Sequence, residues 1–328
     1  MDRRLKTFAP GVTSRDGAPI AELLGSRRVV FLVGAQRSGT TWLQLLLSRS
    51  PLVATAPETH LFSVAMRSLF SSWNIDARAT GLHHLFAESE YRDVLRHVAT
   101  WVLAKVADRK PSATVILEKT PDHILFWRDI LSVFPEAHFI HIIRDPRAVV
   151  ASMLAVAHSW GPRWAPGEIF AATDRWTAFV AVGRQIKSAT PRYYEIAYEE
   201  LVASGSHHLE RLFKWLCIDV SPGECERYLQ DCHIDRLQEG ELDGMEIAIG
   251  QRRREFFRFG QIDHWKRELS SWEVAAIERR AQPLLRELGF ACSNRHSTTT
   301  SVRVALYALK MTIQAGIKVQ LEAVTKHL

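Results

Sequence analysis

The stretch "VVFLVGAQRSGTTWLQLLLSRSP", residues 29–51, decides how this chain folds. A β-branched apolar run ends at Gly34, four residues follow, and Gly39-Thr40-Thr41 opens a helical pattern that Pro51 stops. The run has no polar position to face water, as expected of a parallel strand buried on both faces. Gly34 and Gly39 permit a tight turn that aims successive backbone N–H groups at one point. The helix behind it adds its unpaired N-terminal donors and the positive end of its dipole. Arg37, Ser38, Thr40 and Thr41 add side-chain donors, so the segment reads as an anion cradle. A triphosphate-binding loop would place Lys where Thr40 stands.

The same strand, polar turn and helix recur outward from this point. "SATVILEKTP" (112–121) is a strand with a polar exit, and "HILFWRDILSVFP" after it is a helix that ends before Pro135. "AHFIHIIRDPRAVVASMLAV" (137–156) runs as a strand to Ile143 and starts a helix near Pro146, where the first turn tolerates proline. "RYYEIAYEELV" (192–202) repeats the pattern. Strands alternating with helices predict an α/β fold, a parallel sheet flanked by helices. Ligands of such sheets bind at the carboxyl ends of the strands. Those ends carry "GAQRSGTT", "EKTP" and "RDPR", so the polar residues converge on one rim.

Between these units, residues 88–110 predict a helix whose apolar face is Val94, Val98, Val102 and Val106. From residue 205 the pattern is helical, over 206–217, 221–232 and 270–288. Residues 250–269 are dense in arginine and aromatics. The expected organisation is an N-terminal extension (1–26), one domain (27–292), a polar linker (293–301) and an amphipathic C-terminal helix (302–328). That helix places Leu306, Leu309, Ile313, Ile317 and Leu321 on one face and Arg303, Lys310, Gln314 and Lys318 on the other. Docking of the stripe on its own domain, or on a second copy in a homodimer, is the commoner fate. A basic polar face opposite an apolar one also suits peripheral contact with a membrane.

The bulk numbers are those of a globular protein: 328 residues, 47% hydrophobic, 24% charged and a net charge of +6. The mild positive excess suits an anionic ligand. The four cysteines have no CxxC spacing and read as thiols in a reducing compartment. The first residues lack the apolar core of a signal peptide, and no stretch reaches the roughly 18 apolar residues of a membrane span. The expected location is cytoplasmic, with membrane contact at most peripheral. His138 and His141 fall on opposite faces of a strand and no HExxH occurs, so no metal is expected. The arginine-rich segment has no nucleic-acid-binding fold around it, so no nucleic-acid partner is expected.

With its flanking strand and helix, "QRSGTTW" resembles the 5′-phosphosulfate loop, [KR]SGTT, of sulfotransferases that use 3′-phosphoadenosine-5′-phosphosulfate (PAPS). The resemblance implies the P-loop-like fold of that family, and adenosine 3′,5′-bisphosphate (PAP) as product. It implies that Arg37 contacts the 5′-phosphosulfate, that Thr40 and Thr41 hold the 5′-phosphate, that Ser38 and Gly39 also line the cofactor, and that Trp42 packs on adenine. The family places an Arg at a strand end and a Ser eight residues on to hold the 3′-phosphate, and Arg144 and Ser152 match. "FFRFGQIDHW" is similar to the family's F-x-R-K-G element, with Arg258 and Gly260 in place and Phe259 where Lys is expected. Arg252, Arg253 and Arg254 are candidates for the missing charge. Tyr198, in "AYEELV", matches a family element near the donor.

Sulfuryl transfer is an in-line displacement that needs positive charge around the sulfuryl group and a base for the acceptor proton. By resemblance, Lys119 in "LEKTP" stabilises the leaving oxygen. The His that cytosolic family members carry two residues later is Pro121 here. Tyrosylprotein sulfotransferases instead take a Glu from the segment after the first helix, and "ATAPETHLF" supplies Glu58 there. Glu58 is the expected base, with His60 and His123 as runners-up. The acceptor is a hydroxyl of a small molecule, glycan, lipid or peptide, and no motif chooses among them. Two other readings stand beside this one, a P-loop kinase using ATP and a nucleotide-binding scaffold without catalysis.

Overall fold

Residues Arg28–Val33 form β1, and all but the first are buried. Gly34 ends the strand, and Thr40–Ser48 form the helix α1. The computed structural model describes residues 23–73, 82–239, 253–258, 260–293 and 297–325. Strands β2 (Val53–Thr55), β3 (Val115–Lys119), β4 (His138–Ile143) and β5 (Tyr193–Ala197) complete one sheet, in the order β2-β3-β1-β4-β5. β3 and β4 both pair parallel with β1, and β2 pairs parallel with β3. The expected parallel α/β sheet is therefore present. β2 was not predicted, because a three-residue strand shows no periodicity to read.

Register follows the two-residue alternation of a strand. Val30 and Leu32 of β1, Val115 and Leu117 of β3, and Ile140 and Ile142 of β4 share a core with Leu43 and Leu45–Leu47 of α1. That core continues into the helices Tyr198–Ala203, Gly205–Trp215 and Pro222–Asp231 through Leu201, Leu209, Leu212, Phe213 and Tyr228. Phe31 belongs to the alternate register and packs on Phe139, Phe62 and His123.

The helix Glu88–Ala107 differs in part from its predicted face. Its buried row is Tyr91, Leu95, Ala99 and Leu103; of the predicted valines Val106 is buried, while Val94 and Val98 are exposed. Two rows at i, i+4 spacing lie only about 100° apart on a helix of 3.6 residues per turn. The row with Tyr and two Leu has more apolar surface to bury than the valine row, and it faces inward.

The chain divides into two compact units. One contains β1 to Gly34, residues 39–142 and residues 182–258, and so holds the sheet. The other contains residues 35–38, 143–181 and those from 259 onward. The second unit packs the helix Pro146–Ala157 with Trp265 and the helix Ser271–Glu287, through Ala148, Ala151 and Val274. The buried Arg147 guanidinium joins Asp145 and Glu278 there, at 2.7 Å from each.

The C-terminal helix, Thr298–Thr325, docks on the helix Ser271–Glu287 of its own unit. Thr300 and Val304 are buried, Tyr307 packs on Trp272 and Phe170, and Ser301 accepts a hydrogen bond from Arg279. Leu306, Leu309 and Ile313 of the predicted stripe are more than half exposed, so docking uses another face than the one expected. The side chains of Ile317, Lys318 and Leu321 lie outside the described residues. Among the described residues no helix is long and apolar enough to cross a membrane.

Candidate active site

Glycine is required at both ends of the loop. Gly34 has φ +152°, and a Cβ there would lie 2.5 Å from the Ile142 carbonyl oxygen. Gly39 caps α1 with φ +97°, and its Cβ would meet the Tyr198 ring at 2.7 Å. Tyr198 therefore supports the turn. Its ring meets Trp42 edge-on at 5.4 Å, and the Trp42 indole N–H donates to the Cys232 carbonyl at 3.0 Å. Thr40 and Thr41 are buried in the first turn of α1.

Consecutive side chains of β3 act on opposite faces of the sheet. Lys119 points to the α1 side, where its Nζ donates to Thr41 Oγ1 at 3.2 Å and forms an ion pair with Glu58. Lys119 is 4% exposed and Glu58 about one-third exposed, so the pair sits at a rim rather than in the core. His60 Nε2 stands 3.5 Å from the other Glu58 oxygen. The residues 61 positions apart in sequence that were expected to supply charge and base are thus in direct contact.

His123 does not share this rim. It is fully buried, its Nε2 accepts from the Phe62 N–H at 3.1 Å, and its Nδ1 lies 2.6 Å from Glu118 Oε2. Acceptance at Nε2 puts the proton on Nδ1, which donates to Glu118. Both ring nitrogens are committed, so His123 has no free lone pair for an acceptor proton and the sequence reading is corrected there. Glu118 is itself buried, which alone would raise its pKa. The His123 interaction and the hydrogen bonds from His123, Thr120 and Thr59 outweigh that and hold it below the usual carboxylate range.

In the second unit Arg37 takes a left-handed backbone conformation, φ +73°. Its Nε donates to Ser152 Oγ at 2.9 Å, and Arg144 Nη1 donates to the Arg37 carbonyl at 3.3 Å. The strand-end Arg, the helix Ser and the loop Arg thus come together. The Trp176 indole N–H fixes the Arg144 carbonyl at 2.9 Å. Ser38 is 1% exposed, and its Oγ has no hydrogen-bond partner among the described residues. The segment 158–168 folds back on the helix Pro146–Ala157: Trp160 and Trp164 pack at 5.6 Å, and the Arg37 guanidinium lies 6.0 Å from the Trp160 ring.

Of the third predicted element, Gly260 has the positive φ, +64°, that favours glycine. The carbonyl of Arg258 accepts from Gln238 at 3.1 Å. Phe259 and Arg252, and the side chain of Arg253, lie outside the described residues. Arg254 is exposed and bonded to Glu239 at 3.1 Å, so its guanidinium already has a carboxylate partner.

A family model described as "Sulfotransferase family" matches residues 29–222, more than half of the chain. The chain belongs to the sulfotransferase family. It is 25% identical over 202 residues to a protein of Caenorhabditis briggsae named "Putative protein-tyrosine sulfotransferase", covering 59% of this chain and 67% of that one. It is 33% identical over 135 residues to the omega-hydroxy-beta-dihydromenaquinone-9 sulfotransferase Stf3 of Mycobacterium bovis, covering 38% of this chain and 32% of that one. The chain therefore spans two-thirds of the nematode protein and about a third of the mycobacterial one.

Among solved structures, the sulfotransferase domain of the Synechococcus PCC 7002 olefin synthase is 16% identical, with TM-score 0.54, covering 81% of this chain and 96% of its own. Mouse sulfotransferase SULT7A1 complexed with PAP is 15% identical, with TM-score 0.53, covering 81% and 89%. At such identities the likeness carries the fold, which agrees with the sheet found in this sulfotransferase.

Four polar residues of this sulfotransferase escaped the sequence reading: Gln44, Thr59, Glu118 and Thr120. Gln44 Nε2 donates to Thr55 Oγ1 and the Ala56 carbonyl, both at 2.8 Å, and so holds the approach to Glu58. A carboxylate inside a five-residue strand that is otherwise apolar up to Lys119 was the one available signal for Glu118.

Proposed function

We propose that this sulfotransferase moves a sulfuryl group from PAPS to an acceptor hydroxyl, with Glu58 as base and Lys119 at the leaving oxygen. The observation that carries the reading is the Glu58–Lys119 pair beside Thr41, at the carboxyl end of β3 and the first turn of α1. The donor set suits a 5′-phosphosulfate and a 3′-phosphate. Ser38 keeps a buried hydroxyl without a partner among the described residues, in a loop where glycine is obligatory at both ends. Arg144, Arg37 and Ser152 gather two guanidinium groups and a hydroxyl. We assign Thr40, Thr41 and the α1 N-terminus to the 5′-phosphate, and Arg144 and Ser152 to the 3′-phosphate.

The donor supplies the sulfuryl group: the acceptor oxygen bonds to sulfur as the bond from sulfur to the 5′-phosphate oxygen breaks, and PAP leaves with that electron pair. Glu58 takes the proton of the acceptor hydroxyl, for which its partial exposure leaves it open. Lys119 releases Glu58 as it turns its ammonium toward the negative charge that develops on the leaving oxygen. His60, 3.5 Å from Glu58, is placed to share the proton. The ATP reading lacks its lysine, since position 40 is Thr.

The test is incubation with labelled PAPS and a panel of phenols, sugars, lipid alcohols and tyrosine peptides. The wild type labels at least one acceptor. Lys119→Ala and Glu58→Ala each lower kcat by at least about 100-fold, within the usual range for loss of a general base or a charge-stabilising group. Tighter binding of ATP than of PAP by calorimetry, with no acceptor labelled, refutes the proposal.

A further inference from the structure

Three consecutive backbone amides follow the Glu58 segment, and each ends on a side chain that passes the interaction to one buried carboxylate. The His60 N–H donates to Thr120 Oγ1 at 3.3 Å, and that hydroxyl donates to Glu118 Oε1 at 2.7 Å. The Leu61 N–H donates to Thr59 Oγ1 at 3.2 Å, and that hydroxyl donates to Glu118 Oε1 at 2.8 Å. The Phe62 N–H donates to His123 Nε2 at 3.1 Å, and His123 Nδ1 stands 2.6 Å from Glu118 Oε2. These amides open the helical turn Leu61–Ala65, where no earlier residue of the helix can accept from them.

His123 Nε2 accepts from an amide, so the ring's one proton lies on Nδ1 and goes to Glu118. The Thr59 and Thr120 hydroxyls, each accepting from an amide, donate to Glu118 Oε1. With the Thr59 N–H at 3.4 Å, four donors converge on Glu118, which suits an ionised carboxylate, a group that accepts and does not donate. The backbone they hold is bent, with His60 in the left-handed region at φ +49°. One residue on, Lys119 leaves the other face of β3 and pairs with Glu58. Two neighbours on the strand thus grip two neighbours on the loop: Lys119 holds Glu58, and Glu118 holds Thr59.

We infer that Glu118 is a positioning residue for the transfer reaction: through Thr59, Thr120 and His123 it sets the loop that presents Glu58 to Lys119. The inference rests on the reading of Glu58 as base. Glu118 touches no reacting atom. It acts by fixing where the base stands, and a base displaced by about 1 Å can cost about 100-fold in rate.

The test is Glu118→Gln, which keeps size and shape but brings an amide N–H against a committed donor. The readout is PAP formation from PAPS, with 4-nitrophenol as acceptor probe and with water where the phenol is not used. Expected results are a fall in kcat of tenfold or more, a Kd for PAP within about twofold of wild type, and faster hydrogen exchange at the amides of residues 60–62. The double variant Glu58→Gln/Glu118→Gln then matches Glu58→Gln alone, because residues acting as one unit are not additive. A wild-type kcat in Glu118→Gln, or a double variant that loses the full product of both factors, overturns the positioning role. If Glu118→Gln does not fold, Thr59→Val, at the more exposed arm of the relay, must show the same pattern in smaller measure, and wild-type kcat and exchange there overturn it. A wild-type rate in Glu58→Gln refutes the base assignment instead, and the exchange rates at 60–62 still decide whether Glu118 holds the loop.

Discussion

Gly39 shows how much one residue can decide. Its φ of +97° is unfavourable for any side chain, and Tyr198 fills the space that a Cβ would take. Gly39→Ala is expected to lower stability by about 1–3 kcal/mol, the range of backbone strain plus overpacking, and to weaken PAP binding at least tenfold. Denaturant unfolding and calorimetry check both parts; full PAP affinity in a stable variant would contradict the loop assignment. The glycines were legible in the sequence because the need for them is local, set by the turn itself. The partners of Lys119 were less so. Glu58 was nominated through a family resemblance, while Thr59, Glu118 and Thr120 were missed, since polar side chains carry no periodic signal. The exclusion of His123 needed its two hydrogen-bond partners, neither of which is implied by "TPDH".

At the scale of the element, the helices were found and two of their faces were misplaced. On the helix Glu88–Ala107 two apolar rows compete, and packing chose the one with Tyr91, Leu95 and Leu103. On the C-terminal helix packing chose Val304 and Tyr307 over Leu306 and Leu309. Val304→Ser is expected to lower stability by about 1–2 kcal/mol, as for a small buried side chain, and Leu309→Ser by less than about 0.5 kcal/mol. Thermal unfolding of the two variants separates them, and equal losses would mean that the exposed row is covered. His141 is buried beside Gly183, where a Cβ would lie 2.3 Å from its Nδ1, and that nitrogen bonds Tyr193 Oη at 2.7 Å. Burial, with the nearby Arg184 charge, pushes its pKa down from 6.5 to about 3. The neutral form is native, so unfolded chains take up a proton below pH 6.5 that folded ones refuse until about pH 3. Stability from this group is whole above the unfolded pKa and is lost as pH falls through that window. The melting temperature of wild type should therefore drop on acidification more steeply than that of His141→Gln, and parallel curves would count against it.

At the scale of the whole molecule, the ligand should report both phosphate assignments in one measurement. At 100-fold over its Kd, PAP stabilises the fold by about 2.7 kcal/mol. AMP at the same concentration should stabilise far less, because it offers nothing to Arg144 and Ser152. In Arg144→Ala the two nucleotides should give nearly equal shifts, and an undiminished PAP advantage would remove the 3′-phosphate from that residue. The sequence by itself determined the α/β class, the alternation of strands and helices, the phosphate-type loop and the family, since glycine turns, apolar runs and fixed short motifs are properties of neighbouring residues. Only the tertiary structure decided which helix faces are buried, that Lys119 meets Glu58, and that three amides of the Glu58 loop converge on Glu118. Those contacts join residues about 60 positions apart through sheet register and side-chain hydrogen bonds, and neither is written in any local stretch of the chain.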